Sequence, residues 1–369
     1  LYRAHRGHYP NIQRLMDESA YFPNAEVGHL DAHTAVGHAA IGTGAYPIKS
    51  KEVGNTFYYY ENGKLTSNEI YAGKDETVVD PSELNSETLA DVLDRENEDK
   101  SEVISQCYAL RASIGMAGHG AYRLKGTALA GDRDHVYWLD KNTKRWTTDF
   151  RYYNAPYFLY QYDSAARFHE EYPSGWRSVK LSSIEEARKN YHLILGSPAE
   201  VKMETEMFLK ALDEIILKRE KNKDGYTDLA YVTFKATDAA GHAFGWESLE
   251  ALDTFEETDR QVGKIWEFLE KNFKDEYILI LTADHGCAPL PEISGGRRMH
   301  IANFISELNT LLPQEAIAKN ESLVTKMTVA QVSLNHNVIY TYNISMESIR
   351  KKILSMKVDG KKFFKDVIL

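Results

Sequence analysis

Apolar side chains recur at helical spacing in four segments of the chain. The four segments are residues 10–22, 86–99, 200–218 and 247–273. In the first segment Ile12, Leu15 and Met16 share one face, and Pro10 suits the first position of a helix. In the second, Ser86 is a candidate N-cap. The pattern therefore predicts four amphipathic helices, each burying one face.

Three shorter segments are almost continuously apolar and predict buried strands over residues 102–110, 228–238 and 276–286. The second of these ends in Asp238, and the third ends in Asp284 and His285. A strand, a long helix and another strand form a βαβ crossover, which favours a parallel sheet with helices on its faces. Ligands bind beyond the carboxyl ends of such strands, where Asp238 and Asp284 fall.

Two further regions have a character of their own. Residues 300–369 predict a smaller α+β segment with a lysine-rich, solvated end. Many of the 23 tyrosines, 14 phenylalanines and 5 tryptophans cluster at 136–176. This aromatic cluster fits either a surface subdomain held together by ring packing or a wall over an active site that stacks on a substrate.

Composition narrows the possible functions. A chain of 369 residues can form one large α/β domain or two ordinary ones, and 43% hydrophobic with 27% charged residues is typical of a soluble globular protein. A net charge of −10 argues against a nucleic-acid polymer or an anionic membrane as the main partner, but a small phosphorylated substrate remains possible. The longest apolar runs are too short to span a bilayer.

The cysteines and the amino terminus bear on the cellular compartment. Cys107 and Cys287 are the two cysteines, which excludes a disulfide framework and leaves the compartment open. No signal peptide is visible at Leu1, and the start without methionine indicates a processed or trimmed chain.

Two acid–histidine pairs suggest metal ligation. In TDAAGHAFG (237–245), Asp238 and His242 could converge on one divalent cation; alternatively, Asp238 caps a helix and His242 faces solvent. In LTADHGCAP (281–289), Asp284 and His285 could both bind a metal if the chain turns sharply, which Gly286 permits. Together the pairs predict two neighbouring metal positions, a clamp suited to in-line phosphoryl displacement.

The stretch HTAVGHAAIGTGAYP (33–47) offers a nucleophile for such a site. Thr34 lies at a predicted helix N-terminus, which favours a negative phosphoryl group. A threonine hydroxyl needs a metal or a base to become reactive. We expect His38 to make a structural hydrogen bond to this loop rather than to bind metal, and His33 to play a similar supporting part.

In this order, HTAVGHAAIGTGAYP, ATDAAGHAFG and LTADHGCAPLPE resemble the alkaline phosphatase superfamily, in particular its type I phosphodiesterase/nucleotide pyrophosphatase branch with threonine-nucleophile alkaline phosphatases. The resemblance implies an α/β sandwich with a mostly parallel central sheet, helices on both faces and a smaller cap or α+β segment. It implies one domain over 1–369, truncated at both ends, with an aromatic-rich insertion at about 135–195. It also implies two zinc ions and a phosphothreonine intermediate.

The resemblance also assigns roles to individual residues. Thr34 would be the nucleophile, and Asp238 with His242 would bind one zinc ion. Asp284 and His285 would bind the other, which Thr34 would also touch. VGNTFYYY matches the place where relatives carry an asparagine that donates to a phosphoryl oxygen, so Asn55 is its counterpart. Without the resemblance, the sequence around Asn55 would indicate only a turn residue after Gly54.

The chain departs from the family pattern at the outer ligands. The family's first zinc-binding aspartate would lie before Leu1. Nothing between His300 and Leu369 resembles the family's last zinc-binding histidine motif, and His300 and His336 are weak substitutes. The chain therefore carries four of the six protein ligands expected besides Thr34.

A second departure concerns specificity. Monoesterases of this group place a lysine and an arginine two positions apart to bind the charged phosphoryl oxygens. Here Arg123 and Lys125 stand in the reverse order, and an alignment through SIGMAGHG (113–120) leaves neither cation. A dianionic monoester needs this clamp more than a monoanionic diester does, so both substrate classes stay open.

We therefore expect a metal-dependent phosphoester hydrolase, either a phosphomonoesterase or a phosphodiesterase, with a small phosphorylated substrate. The alternatives are a catalytically incomplete relative that binds a phosphorylated ligand, or a related phosphomutase or sulfatase. Thr34 argues against a sulfatase, whose nucleophile usually derives from cysteine or serine. By resemblance alone the protein is periplasmic or extracellular, and its oligomeric state is open.

Overall fold

The chain divides into two compact units, which are described separately. A computed structural model describes residues 7–61, 64–71, 79–120, 134–328 and 331–368. The first unit comprises Leu1–Tyr59 and Thr66–Cys287, and the second comprises Tyr60–Leu65 and Ala288–Leu369.

The described elements alternate along the chain. The strands are β1 Thr56–Glu61, β2 Lys64–Glu69, β3 Val103–Gln106, β4 His135–Leu139, β5 Trp146–Thr147, β6 Leu229–Val232, β7 Val324–Met327, β8 Val332–Leu334, β9 Lys357–Val358 and β10 Lys361–Lys362. The helices are α1 Pro10–Glu18, α2 Thr34–Thr43, α3 Pro47–Ser50, α4 Leu89–Asn97, α5 Leu110–Ala117, α6 Ser164–Glu171, α7 Ile184–Lys189, α8 Tyr191–Ile194, α9 Pro198–Ala211, α10 Ala236–Phe244, α11 Leu249–Phe273, α12 Pro291–Ser294, α13 Ile301–Asn309, α14 Gln314–Ala318, α15 His336–Thr341 and α16 Met346–Ser355.

A four-stranded sheet organises the first unit, in the order β5-β4-β3-β6. Strand β3 pairs in parallel with both β4 and β6, and the short β5 adds antiparallel to β4. Every residue of β3 and β4 is buried, as expected where both faces of a parallel sheet are covered. The predicted α/β class with a mostly parallel sheet is confirmed.

The four predicted amphipathic helices are present as α1, α4, α9 and α11, and a short π-helix, Leu212–Leu217, continues α9. One helix start was predicted wrongly, because α4 is capped by Thr88 and not by Ser86. The Thr88 hydroxyl accepts from the Asp91 amide, and the Asp91 carboxylate accepts from the Thr88 amide. This reciprocal pair of hydrogen bonds satisfies two N–H groups at the start of the helix. Ser86 lies two residues before Thr88 and is not the N-cap residue.

Two predicted strands are shorter than expected. Strand β3 ends at Gln106 rather than continuing to residue 110, since α5 begins at Leu110. Strand β6 ends at Val232, so Asp238 does not end a strand: it is the third residue of α10. An aspartate in the first turn of a helix is stabilised by the helix dipole.

The third predicted strand, 276–286, does not form, so the expected βαβ crossover is also wrong. The apolar residues of this segment instead divide between a packed side and an exposed side. Tyr277 and Leu279 pack against α11 near Trp266, whereas Ile278 and Ile280 are 87% and 78% exposed. A strand requires a backbone partner as well as an apolar run, and no sheet of the described residues includes this segment.

The aromatic cluster supports the packing interpretation. Trp146, Phe158 and Phe168 are at most 1% exposed and belong to the largest core cluster of the unit, together with Met207 of α9. Trp176 joins the same core and donates its indole N–H to Asp253 on α11. These rings therefore hold the sheet and its helices together.

The second unit has its own core. Phe304 and Leu308 of α13 pack with Ile349 and Ile353 of α16, beside the antiparallel pair β7–β8. Within the described parts of both units, no helix combines the length and apolarity needed to cross a membrane.

Candidate active site

Thr34 is the first residue of α2, as the sequence predicted for a nucleophile at a helix N-terminus. The residue is buried, with 4% of its surface exposed. Asn55, just before β1, accepts a hydrogen bond through Oδ1 from the amide of Ala35 at 3.0 Å. Because Oδ1 is used as an acceptor, the amide nitrogen of Asn55 is the group left to donate to a ligand near Thr34.

Lys235, the N-cap residue of α10, reaches Thr34 from the other side of the site. Its Nζ donates to Thr34 Oγ1 at 2.9 Å and to Asp238 Oδ2 at 2.5 Å. The lysine side chain is 6% exposed, so its charge lies almost wholly inside the protein. The lysine thus connects the threonine motif directly to the first acid–histidine pair.

His38 connects the threonine motif to the second pair. Its Nδ1 lies 2.8 Å from the carbonyl oxygen of Thr34 and 3.3 Å from Asp284 Oδ2. Both neighbours are acceptors, so Nδ1 carries the proton, and Nε2 faces the Thr233 hydroxyl at 3.3 Å. His38 is therefore a buried structural histidine, as expected. His33, the N-cap residue of α2, pairs with Asp31.

The electrostatics of Asp284 follow from these neighbours. Burial alone would raise the pKa of its carboxyl group. The hydrogen bond and charge of His38, with the charges of His285 and Lys235, instead hold the pKa of Asp284 at about 2. The carboxylate is therefore ionised across the whole physiological range.

The two acid–histidine pairs meet around Asp238 Oδ1. His242 Nε2 lies 3.5 Å from this oxygen, and His285 Nε2 lies 3.8 Å from it and 3.5 Å from Asp284 Oδ2. His285 Nδ1 lies 2.9 Å from the carbonyl oxygen of Gly286, which makes Nδ1 the donor and directs the Nε2 lone pair into the cluster. The four residues that the sequence singled out thus lie near one another, and His242 also faces solvent, with 77% of its side chain exposed.

This donor set partly fits a divalent metal. Ligands about 2.1 Å from a tetrahedral ion are about 3.4 Å apart, close to the spacing within each pair. Asp238 Oδ1 is buried without a hydrogen-bond partner, which suits an oxygen reserved for a cation. However, among the described side chains no three His, Cys, Asp or Glu groups converge to hold an ion. The spacing therefore suits a metal ion within each acid–histidine pair, but each pair supplies only two ligands.

The small residues of the nucleophile stretch allow two helices to touch. A Cβ added to Gly42 of α2 would lie 2.1 Å from the carbonyl oxygen of Gly115 in α5. A Cβ added to Gly115 would lie 3.0 Å from the Cβ of His38. The glycines therefore fix α2, and Thr34 with it, against the helix that follows β3.

Some of the sequence predictions cannot be placed in this site. Arg123 and Lys125 lie outside the described residues. His300 and His336 lie in the second unit. Conversely, Lys235 contacts Thr34 but was not predicted from the sequence as a site residue. Its signal was a charged residue inside the apolar run YVTFKATD, three positions before Asp238 and so on the same helical face.

Comparisons with known proteins identify the family and the fold of the chain. The family model described as type I phosphodiesterase/nucleotide pyrophosphatase matches residues 1–367. A protein named calcium-transporting ATPase from Myroides odoratus is 25% identical, covering 100% of this chain and 72% of its own. Alkaline phosphatase PafA from Elizabethkingia meningoseptica is 25% identical, covering 93% of this chain and 68% of its own.

A crystal structure of alkaline phosphatase PafA superposes with a TM-score of 0.78 at 20% identity, covering 96% of this chain and 73% of that one. Fold and family together define an enzyme that hydrolyses phosphoric ester bonds. The chain belongs to the type I phosphodiesterase/nucleotide pyrophosphatase family, within the alkaline phosphatase superfamily.

Proposed function

We propose that the protein is a metal-dependent hydrolase of small phosphate esters in which Thr34 is the nucleophile. The convergence of three distant motifs on one buried residue, Thr34, carries the proposal. Thr34 Oγ1 is joined through Lys235 to Asp238, and the Thr34 carbonyl is joined through His38 to Asp284. A threonine with only a structural role would not be expected to lie between two acid–histidine pairs from separate segments.

The reaction proceeds in two displacements. Thr34 Oγ1 forms a bond to phosphorus as the bond to the leaving alcohol oxygen breaks; the threonine proton passes to solvent, and the departing oxygen takes up a proton. Water then attacks phosphorus, the Oγ1–phosphorus bond breaks, and Thr34 regains its proton as phosphate or its monoester leaves. The N-terminus of α2 and the amide of Asn55 stabilise the negative phosphoryl oxygens.

Divalent ions, most favourably zinc, would be held by Asp238 with His242 and by Asp284 with His285. Bound there, a divalent ion supplies Lewis acidity for the leaving oxygen and lowers the pKa of its bound water. His285 is held for this role by its hydrogen bond to the Gly286 carbonyl. Asp284 is kept ionised by His38.

Substrate class depends on how much phosphoryl charge the site can bind. Arg123 and Lys125 would favour a dianionic monoester if they reach the site, whereas a site without them favours a monoanionic diester. The superfamily resemblance supports a periplasmic or extracellular location.

The direct test compares turnover of an aryl phosphate and an aryl phosphodiester with added zinc. Thr34→Ala should lower turnover on the order of 10³-fold or more, because the covalent route is lost. Thr43→Ala, at the opposite end of α2, is the matched control and should stay close to the unmodified protein. Equal turnover by Thr34→Ala and the unmodified protein would refute the proposed nucleophile.

A second candidate is a non-catalytic relative that binds a phosphorylated ligand. The absence of a convergent ligand trio among the described residues favours it. It predicts that inorganic phosphate binds while neither ester turns over at any zinc concentration.

A further inference from the structure

Lys235 is a buried cation in direct contact with the proposed nucleophile. Its Nζ donates to Thr34 Oγ1 at 2.9 Å and to Asp238 Oδ2 at 2.5 Å, and only 6% of its side chain is exposed. Burying an ammonium group is costly unless it is paired and hydrogen-bonded, and the Asp238 carboxylate provides that pairing. The two contacts therefore fix the end of the lysine side chain beside Thr34.

The ammonium group of Lys235 has a donor that these two contacts do not use. An ammonium nitrogen carries three N–H donors, and Thr34 Oγ1 and Asp238 Oδ2 accept two of them. No third acceptor for Nζ occurs among the residues that the structure describes. The remaining N–H is available to a ligand that binds at Thr34.

A phosphoryl group on Thr34 lies next to this donor. When Oγ1 is bonded to phosphorus, the charged nonbridging oxygens are only two bonds away from Oγ1. Since Nζ lies 2.9 Å from Oγ1, an oxygen turned toward the lysine comes within hydrogen-bond distance of Nζ. Asn55, held through its Oδ1 by the Ala35 amide, offers a neutral donor to the same group, whereas Lys235 offers a charged and therefore stronger one.

The charges around Thr34 show what this ammonium group changes. Asp238 and Asp284 each bring a carboxyl group to the site, and Asp284 is held ionised. In the described parts of the chain, no lysine or arginine other than Lys235 forms a hydrogen bond or an ion pair with Thr34, Asp238 or Asp284. A dianionic monoester carries more charge than a monoanionic diester, so it gains more from a cation at this position.

We propose that Lys235 is a specificity-determining residue that binds a phosphoryl oxygen and favours dianionic phosphate monoesters over monoanionic diesters. The inference rests on the proposed function, because it requires the phosphoryl group to bind at Thr34. It holds whether or not Arg123 and Lys125 reach the site, since the charge of Lys235 already lies there. The same ammonium group orients the Thr34 hydroxyl, a role that serves both ester classes equally.

The test compares kcat/KM for two esters in Lys235→Met, which keeps a similar length without charge or donors. At about pH 8 an aryl phosphate is a dianion and an aryl phosphodiester is a monoanion. We expect kcat/KM for the monoester to fall at least about 10-fold more than for the diester, the size of one charge-assisted hydrogen bond. Lys264→Met, an exposed lysine of α11, is the matched control and should leave both values unchanged. If Lys235→Met does not fold, Lys235→Gln takes its place.

Equal losses for the two esters in a folded variant would overturn the inference, because a lysine that only orients Thr34 or supports the fold affects both alike. If neither ester turns over, or neither variant folds, calorimetry with the unmodified protein decides. We expect inorganic phosphate to bind more tightly than the monoanion dimethyl phosphate, and equal affinity or no binding would overturn the inference.

The two proposals fail in distinguishable ways. Thr34-dependent turnover with equal losses for the two esters would refute only the role of Lys235. Tighter binding of inorganic phosphate than of dimethyl phosphate, without turnover of either ester, would refute only the hydrolase.

Discussion

Gly37 of α2 lies directly against the backbone of Asp284. A Cβ built on Gly37 would come within 2.3 Å of the Asp284 carbonyl oxygen and 2.8 Å of its Cβ. Real side chains do not approach this closely, so any residue larger than glycine must displace the acid–histidine loop. The stretch rich in small residues therefore sets the distance between Thr34 and Asp284.

Gly37→Ala should separate these two groups while leaving the rest of the sheet in place. Because a shift of about 1 Å can cost about 10²-fold in rate, we expect a loss of this size in turnover of an aryl phosphate ester. Zinc binding should weaken as well. Gly7→Ala, whose added Cβ meets nothing within 4 Å, is the control. Full activity of Gly37→Ala would show that the Asp284 loop is not held by this contact.

Glu52 gives the protein a pH-dependent stability. Its side chain is 0% exposed, and burial together with the charge of Glu83 raises the pKa of Glu52 to about 9. The folded state therefore holds a proton that the unfolded state releases above its ordinary pKa of about 4.3. Stability from this group is complete below that pH, falls as pH rises toward 9, and changes by at most about 1.4 kcal/mol per pH unit.

Glu52→Gln should remove that dependence, because an amide cannot ionise. Urea unfolding between pH 5 and pH 9 should show a shallower fall in the free energy of unfolding than in the unmodified protein. Glu267→Gln, exposed on α11, should reproduce the unmodified profile. Parallel profiles for the unmodified protein and Glu52→Gln would mean that Glu52 is ionised in the folded state.

The two cysteines should differ sharply in reactivity. Cys107 is buried and Cys287 is exposed, and both are free thiols. Burial raises the pKa of the Cys107 thiol far above its usual value, which removes the reactive thiolate. We expect a thiol reagent to label one cysteine in the native protein and both in denaturant. Cys287→Ser should show no native labelling; labelling of Cys107 in that folded variant would contradict the packing around β3.

The sequence was most informative about helices with a periodic apolar face and about motifs that contain metal-ligand residue types. The long stripe of α11 and the apolar face of α1 predicted helices correctly, because helix burial leaves a periodic record in the residues themselves. The three quoted motifs identified side chains that lie together, because each combines a ligand-type residue with glycine or alanine.

The incorrect and missed predictions have a common physical cause: each feature depends on contacts with residues that are distant in sequence. Residues 277–282 form the short apolar run typical of a buried strand, yet a strand forms only where a neighbouring backbone pairs with it. The sequence pattern alone did not show that β6 ends before Asp238 and that Asp238 belongs to α10. Lys235 was overlooked because a lysine near a strand end usually faces solvent, and only its contact with Thr34 reveals its position.

The proposed mechanism requires a covalent bond between Thr34 Oγ1 and phosphorus. The most direct measurement is mass spectrometry of proteolytic peptides after acid quenching during turnover of an aryl phosphate ester. We predict a phosphoryl group on the peptide that contains Thr34 and its absence in Thr34→Ala. A protein that turns over substrate without ever phosphorylating Thr34 would contradict the proposed mechanism.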